Sequence, residues 1–85
     1  MTTSARVTLY SRPGCHLCDE ARAVVERVCE EVGTSYVEVS IDDDPALRER
    51  YGEEIPVTLV DGRQHDFWRV SEERLRAALA APPRL

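Results

Sequence analysis

"SRPGCHLCDEA", residues 11–21, decides how the rest of this 85-residue chain is read. Cys15 and Cys18 are separated by two residues and preceded by the breaker pair Pro13-Gly14. Upstream, "RVTLY" (residues 6–10) is a short β-prone run. Downstream, the apolar residues Leu17, Ala21, Val24, Val25, Val28 and Val32 recur at spacings of three and four, the stripe of a helix from about residue 15 to 32, and Gly33 supplies its stop. The cysteines therefore stand at a strand-to-helix junction. Such a pair is a redox couple, half of a metal clamp, or two neighbouring thiols, and the remaining residues weigh between these.

Working outward, "YVEVSI" (residues 36–41) reads as a second strand. Asp44 then caps a short helix with Pro45 at its first position, Leu47 and Tyr51 as its apolar residues, and Gly52 as its end. "VTLV" (residues 57–60) is a third strand, and Asp61-Gly62 is a strong hairpin signal, with the return strand at about Gln64 to Val70. Ser71 caps a last helix whose Glu72 and Glu73 sit at its positive end, whose Leu75, Ala78 and Leu79 face inward, and which Pro82-Pro83 closes. The order is β-α-β-α-β-β-α. Two strands joined through a helix are parallel with a right-handed crossover, and two joined by a tight turn are antiparallel. An α/β fold results: a four-stranded mixed sheet with helices on both faces, one domain over residues 1–85.

Hydrophobic content of 42% and charged content of 32% belong to a globular domain rather than a disordered tail. A formal charge of −5 speaks against a nucleic-acid surface, which needs a basic stripe. No apolar run reaches the roughly 20 residues that span a bilayer. Residues 1–6 hold no apolar leader, so a cytoplasmic location is expected, where a close cysteine pair is catalytic or metal-binding before it is a structural disulfide. The odd cysteine count, three, also fits a disulfide scaffold poorly.

Thiolate, not thiol, attacks a disulfide. At a helix start, unpaired backbone N–H groups and the positive dipole end favour the Cys15 thiolate, Arg12 adds a cation three residues earlier, and the pKa is expected at about 7 or below. Cys18 lies one turn on, inside the helix and less favoured as an anion. Cys15 is thus the expected nucleophile and Cys18 the resolving thiol. A zinc clamp wants four ligands, whereas Cys29 lies eleven residues beyond Cys18, about 16 Å along the helix. His65 is single, and His16 points away from the seam between the cysteines. Redox use ranks first and no metal ligand is assigned. Cys29 reads as a buried small hydrophobe. His16 either favours the thiolate as imidazolium or is an exposed residue of no consequence. The acidic cluster at Asp42-Asp43-Asp44 and Glu53-Glu54 reads as a solvated capping region. Trp68 reads as a strand-edge core residue or part of a docking surface.

"LYSRPGCHLCDEA" (residues 9–21) resembles the glutaredoxin pattern LY(S/T)(K/R)xxCPYCxxA, and the element order resembles the thioredoxin fold in its smallest form. "DDDPALRERYGEEIPVTLVDG" (residues 42–62) is similar to a stretch in small glutaredoxin-like proteins with a CHLC-type motif. The resemblance covers about Arg6 to Ala81. It implies a thiol–disulfide oxidoreductase acting on protein disulfides or glutathione mixed disulfides, with a cis Ile55–Pro56 bond against the cysteines and the Ile55 backbone freed to pair with a bound substrate strand. Such exchange needs only electrons and thiols, so no bound cofactor is expected. Glutathione as reducing co-substrate, or a thioredoxin-reductase-type protein, would return the electrons to what is expected to be a monomer.

The chain also departs from the family. Glutathione-binding members follow the hairpin with Gly-Gly and an acidic residue, where this chain reads "HDFWRVSEERL" (residues 65–75). Thioredoxins carry a buried Asp in the strand before the motif and a Trp before the first Cys, and "RVTLYSRPGC" (residues 6–15) has neither. From other classes, the rival readings are a metal or iron–sulfur module, whose members typically carry CGFS, and a non-enzymatic partner domain.

Overall fold

The computed structural model describes residues 5–81. The leader reading at residues 1–4 and the closing prolines Pro82 and Pro83 lie outside the described residues.

Strand β1 (Val7–Ser11) runs at the centre of a sheet ordered β2-β1-β3-β4, with β2 at Tyr36–Ser40, β3 at Val57–Val60 and β4 at Arg63–Phe67. It pairs with β2 in parallel, Val7 opposite Tyr36 and Ser11 opposite Ser40, and with β3 antiparallel, Val7 opposite Val60. Strand alternation then assigns the faces. Val7, Leu9 and Ser11 are buried under helices α1 (His16–Val32) and α3 (Glu72–Ala80), where Val25, Val28, Cys29, Leu75 and Leu79 complete the main core. Each of those large side chains contributes about 1.5–3 kcal/mol when fully buried. Tyr10, on the opposite face, packs its ring 5.1 Å from that of Tyr51 in helix α2 (Pro45–Tyr51). The mixed sheet with helices on both faces stands as expected.

The caps follow the sequence closely. Asp44 accepts the Ala46 N–H at 2.9 Å and Ser71 accepts the Arg74 N–H at 3.2 Å, each satisfying an orphan donor of its helix. Gly33 ends α1 at φ 85°, a left-handed position that glycine takes without a Cβ clash, and the Gly33 and Thr34 amides both return to the Cys29 carbonyl at 2.9 Å. Asp61-Gly62 turns the hairpin with both residues at positive φ.

Three expectations are corrected. The second strand stops at Ser40, because Ile41 opens a single 3-10 turn (Ile41–Asp43) whose Asp42 N–H is capped by the Ser40 hydroxyl. The return strand ends at Phe67 rather than Val70. A bulge in its pairing with β3 falls between Thr58 and Leu59, and Trp68 then leaves the strand at φ 63°, its N–H held by the Pro56 carbonyl at 2.8 Å. The α1 stripe is rotated: Cys18, Ala21, Val25, Val28 and Cys29 are the buried set, Leu17 and Val24 are half-buried, and Val32 is exposed. Cys18 and Cys29 are as buried as the valines beside them, which the pattern of aliphatic residues alone does not suggest.

Candidate redox site

The site grows from the end of β1. The chain leaves the sheet at Ser11 and turns through Arg12, Pro13 and Gly14, with Gly14 at φ 78° where a side chain would be strained. Cys15, in extended conformation, is the N-cap of α1. A cap normally offers a side-chain oxygen to the first free amides; here the sulfur does it, accepting the Cys18 N–H at 3.2 Å. The Cα atoms of Cys15 and Cys18 are 5.1 Å apart and the two sulfurs are joined as a disulfide. Cys18 is fully buried, whereas Cys15, at the helix start, is half-buried. A negative charge on the Cys15 sulfur is favoured by that amide and by the positive end of a helix seventeen residues long. The same charge on Cys18 would lie in the core, where it is costly.

The other expected site residues separate into two groups. Pro56 is buried at the head of β3, one step beyond the Tyr10–Val57 pair and so beside the end of β1, and the Ile55–Pro56 bond is cis. Ile55 precedes it half-buried, and its backbone makes no hydrogen bond among the described residues. Arg12 and His16 turn elsewhere. The Arg12 guanidinium is held by Asp42 at 2.8 Å, so its charge is largely answered before it reaches the sulfur. The His16 ring is 87% exposed and lies 3.3 Å from Glu20, one turn along α1.

Sequence reading missed a polar network under this loop. The Ser11 hydroxyl, buried at the end of β1, donates to Glu38 on β2 at 2.6 Å, and Arg22 of α1 grips the same carboxylate with two N–H groups at 2.6 and 2.7 Å. The Arg22 bonds, opposed by desolvation and aided by Ser11, hold the Glu38 carboxyl below the usual carboxylate range. The available signal was Glu38 itself, a charge that takes the same face of β2 as Tyr36, the face turned toward α1.

Trp68 is 52% exposed and stacks edge-on against Phe67, so of its two readings the strand-edge core residue is the one the structure excludes. Its indole N–H donates to the Glu53 carbonyl at 2.9 Å, and its backbone N–H is also 3.2 Å from the Glu54 carbonyl, which ties the hairpin exit to the segment before Pro56. A groove of about 160 Å³ runs between it and α1, walled by Leu17, Ala21, Val24 and Val70 and rimmed by Glu20 and Arg69. At the start of α3 the Ser71 N–H is already bonded to Asp66 at 3.2 Å.

Cys29 is a free, buried thiol whose pKa burial pushes up, the unreactive condition expected of it. Among the described residues no three His, Cys, Asp or Glu side chains gather at one point. No helix among them is long and apolar enough to cross a membrane.

The glutaredoxin-like domain family (DUF836) matches residues 6–80, nearly the whole described chain. The chain belongs to this family. This glutaredoxin-like chain is 35% identical over 80 residues to an uncharacterised protein of Mycobacterium tuberculosis, Rv0508, an alignment covering 88% of this chain and 82% of that protein. It is 41% identical to the structural genomics target XcR50 from X. campestris, known by X-ray structure, with a TM-score of 0.73 over 89% of this chain and 99% of the other. The glutaredoxin from Archaeoglobus fulgidus shares the fold, with a TM-score of 0.62 at 16% identity over 91% of this chain and 88% of that one.

Proposed function

We propose that this chain is a thiol–disulfide oxidoreductase that reduces protein or small-molecule disulfides through Cys15 and Cys18. The observation that carries the reading is the asymmetry of the pair: a half-buried Cys15 whose sulfur accepts the helix-start amide of Cys18 at 3.2 Å, backed by a fully buried Cys18.

In the reduced protein, the Cys15 thiolate attacks one sulfur of a substrate disulfide. A bond forms between Cys15 and that sulfur, and the second substrate sulfur leaves as a thiolate that takes up a proton. Cys18 then loses its proton and attacks Cys15, which closes the Cys15–Cys18 disulfide and expels the first substrate sulfur as a thiol. The substrate gains two electrons and two protons, and the pair loses them. Two thiols of a donor, glutathione or the dithiol of a thioredoxin-reductase-type protein, restore the pair by the reverse exchange. A charge on Cys18 would be costly in the core, so the first attack falls to Cys15. The free Ile55 backbone next to Pro56 offers an N–H and a C=O to an extended substrate segment.

The test is anaerobic incubation of the oxidised protein with reduced glutathione, then alkylation and mass spectrometry. Two new free thiols at Cys15 and Cys18, or a glutathione adduct on Cys15, support the reading with glutathione as donor. A closed pair under glutathione, opened by a thioredoxin-reductase-type system, assigns the donor instead. A pair that passes electrons to no disulfide from either source refutes the reading.

A further inference from the structure

The Ser11–Glu38–Arg22 network takes no part in the exchange steps, yet it is built against the same elements. Ser11 is the last residue of β1, four before Cys15, and Arg22 follows Cys18 by one helical turn on α1. At 1.5 Å per residue, Arg22 lies about 6 Å along the axis from Cys18 and about 10 Å from Cys15, near the screening length at physiological salt. A cavity of about 450 Å³ joins the network to the loop that delivers Cys15, since Arg12 and Pro13 form one wall and Arg22 and Glu38 another.

We infer that the Glu38–Arg22 ion pair, anchored by Ser11, sets the redox equilibrium of the Cys15–Cys18 pair. Arg22 carries positive charge on the helix that starts at Cys15, and Glu38, reaching across from β2, cancels most of it. Asp19 takes a further bond from Arg22 at 2.8 Å, Arg12 is answered by Asp42, and Asp43 lines the far side of the cavity. The Glu38 carboxylate, locked by Arg22, stays ionised and acts by its charge rather than as a proton acceptor. Both are positioning residues, and their use to the cell rests on the oxidoreductase reading above.

Reduction of the disulfide adds two electrons and yields a thiolate at Cys15 and a thiol at Cys18, with two thiols at lower pH. Positive charge nearby stabilises the thiolate form and draws the equilibrium toward the reduced pair; negative charge does the opposite. Glu38→Gln leaves Arg22 answered by Asp19 alone and favours the reduced pair. Arg22→Gln leaves two carboxylates uncompensated and favours the disulfide. The double variant returns close to the parent.

The experiment equilibrates the full chain and these variants with oxidised and reduced dithiothreitol at pH 7 and reads the pair by alkylation and mass spectrometry. Opposed shifts of threefold or more in the equilibrium constant, about 14 mV each way for a two-electron couple, support the inference. Smaller shifts, or two shifts in the same direction, overturn it, since loss of structure moves both variants alike. If Arg22→Gln does not fold, Glu38→Gln carries the test alone through the ultraviolet absorbance of the Cys15 thiolate. Its pKa must fall, and an unchanged or raised value overturns the inference. Dithiothreitol reads the pair whatever the natural partner, so failure of the oxidoreductase reading shows separately, as absent turnover of any protein disulfide.

Discussion

At the scale of single residues, the two cysteines differ in surroundings more than in chemistry. The Cys15 sulfur replaces the usual oxygen of a helix cap, whereas Cys18 sits one turn down with no exposed surface. Cys15→Ser is expected to abolish disulfide reduction altogether. Cys18→Ser is expected to trap a mixed disulfide on Cys15, visible as a mass adduct that a dithiol removes. His65 makes a second prediction at this scale. It lies beside the bulge of β4 with its Nε2 buried and without a hydrogen bond among the described residues, and burial lowers its pKa against a smaller opposing pull from Asp66. The unfolded chain therefore takes up a proton as pH falls below about 6.5 while the folded chain resists it, so stability declines through that window and levels off below the folded pKa. Urea midpoints at pH 7.5 and 5.5 are expected to differ less in His65→Gln than in the parent. Equal differences would place the pH dependence elsewhere.

At the scale of elements, the hairpin shows how much a turn decides. Asp61 and Gly62 both adopt positive φ, and the register from Val60–Arg63 outward depends on them. A methyl group on Gly62 would project into open space, yet the residue stands at φ 82°. Gly62→Ala therefore clashes with nothing and still costs about 1 kcal/mol of backbone strain, seen as a lower urea midpoint with an unchanged slope. The far end of the same hairpin behaves differently. Nothing in "HDFW" forbids further strand, yet Trp68 turns out of the sheet because its N–H and its indole both find carbonyls in the segment of residues 53–56. Local pattern reveals the turn because its cause lies within two residues. It misses the strand end because the cause lies more than ten residues away in sequence.

At the scale of the whole molecule, Arg6 gathers distant parts of the chain. Its guanidinium binds the Asp61 carboxylate at 2.9 and 3.0 Å and the carbonyls of Leu79 and Ala81 at 3.0 Å each. The N-terminal end of the sheet, the hairpin and the end of α3 are thereby tied by one side chain. Arg6→Ala is expected to cost about 2 kcal/mol, because it strips charged partners from groups that are partly out of water, and to lower the thermal midpoint by roughly 10 °C for a domain of this size. Cys15 and Cys18 follow the opposite end of β1, so thiol reactivity measured on the folded variant should hold.

Short-range spacing by itself determined the element order, the caps at Asp44 and Ser71, the strand-to-helix junction that holds Cys15, and the inert setting of Cys29. Each of these rests on periodicity or on a side chain bonding to backbone two or three residues away. Tertiary structure alone decided that Arg12 answers Asp42 rather than the sulfur, that Trp68 stands in solvent, and that Ser11, Arg22 and Glu38 meet beneath the loop. Those contacts join side chains from separate elements, and their distances exist only once parallel pairing of β1 with β2 and the packing of α1 across both have set the strands and helix in register.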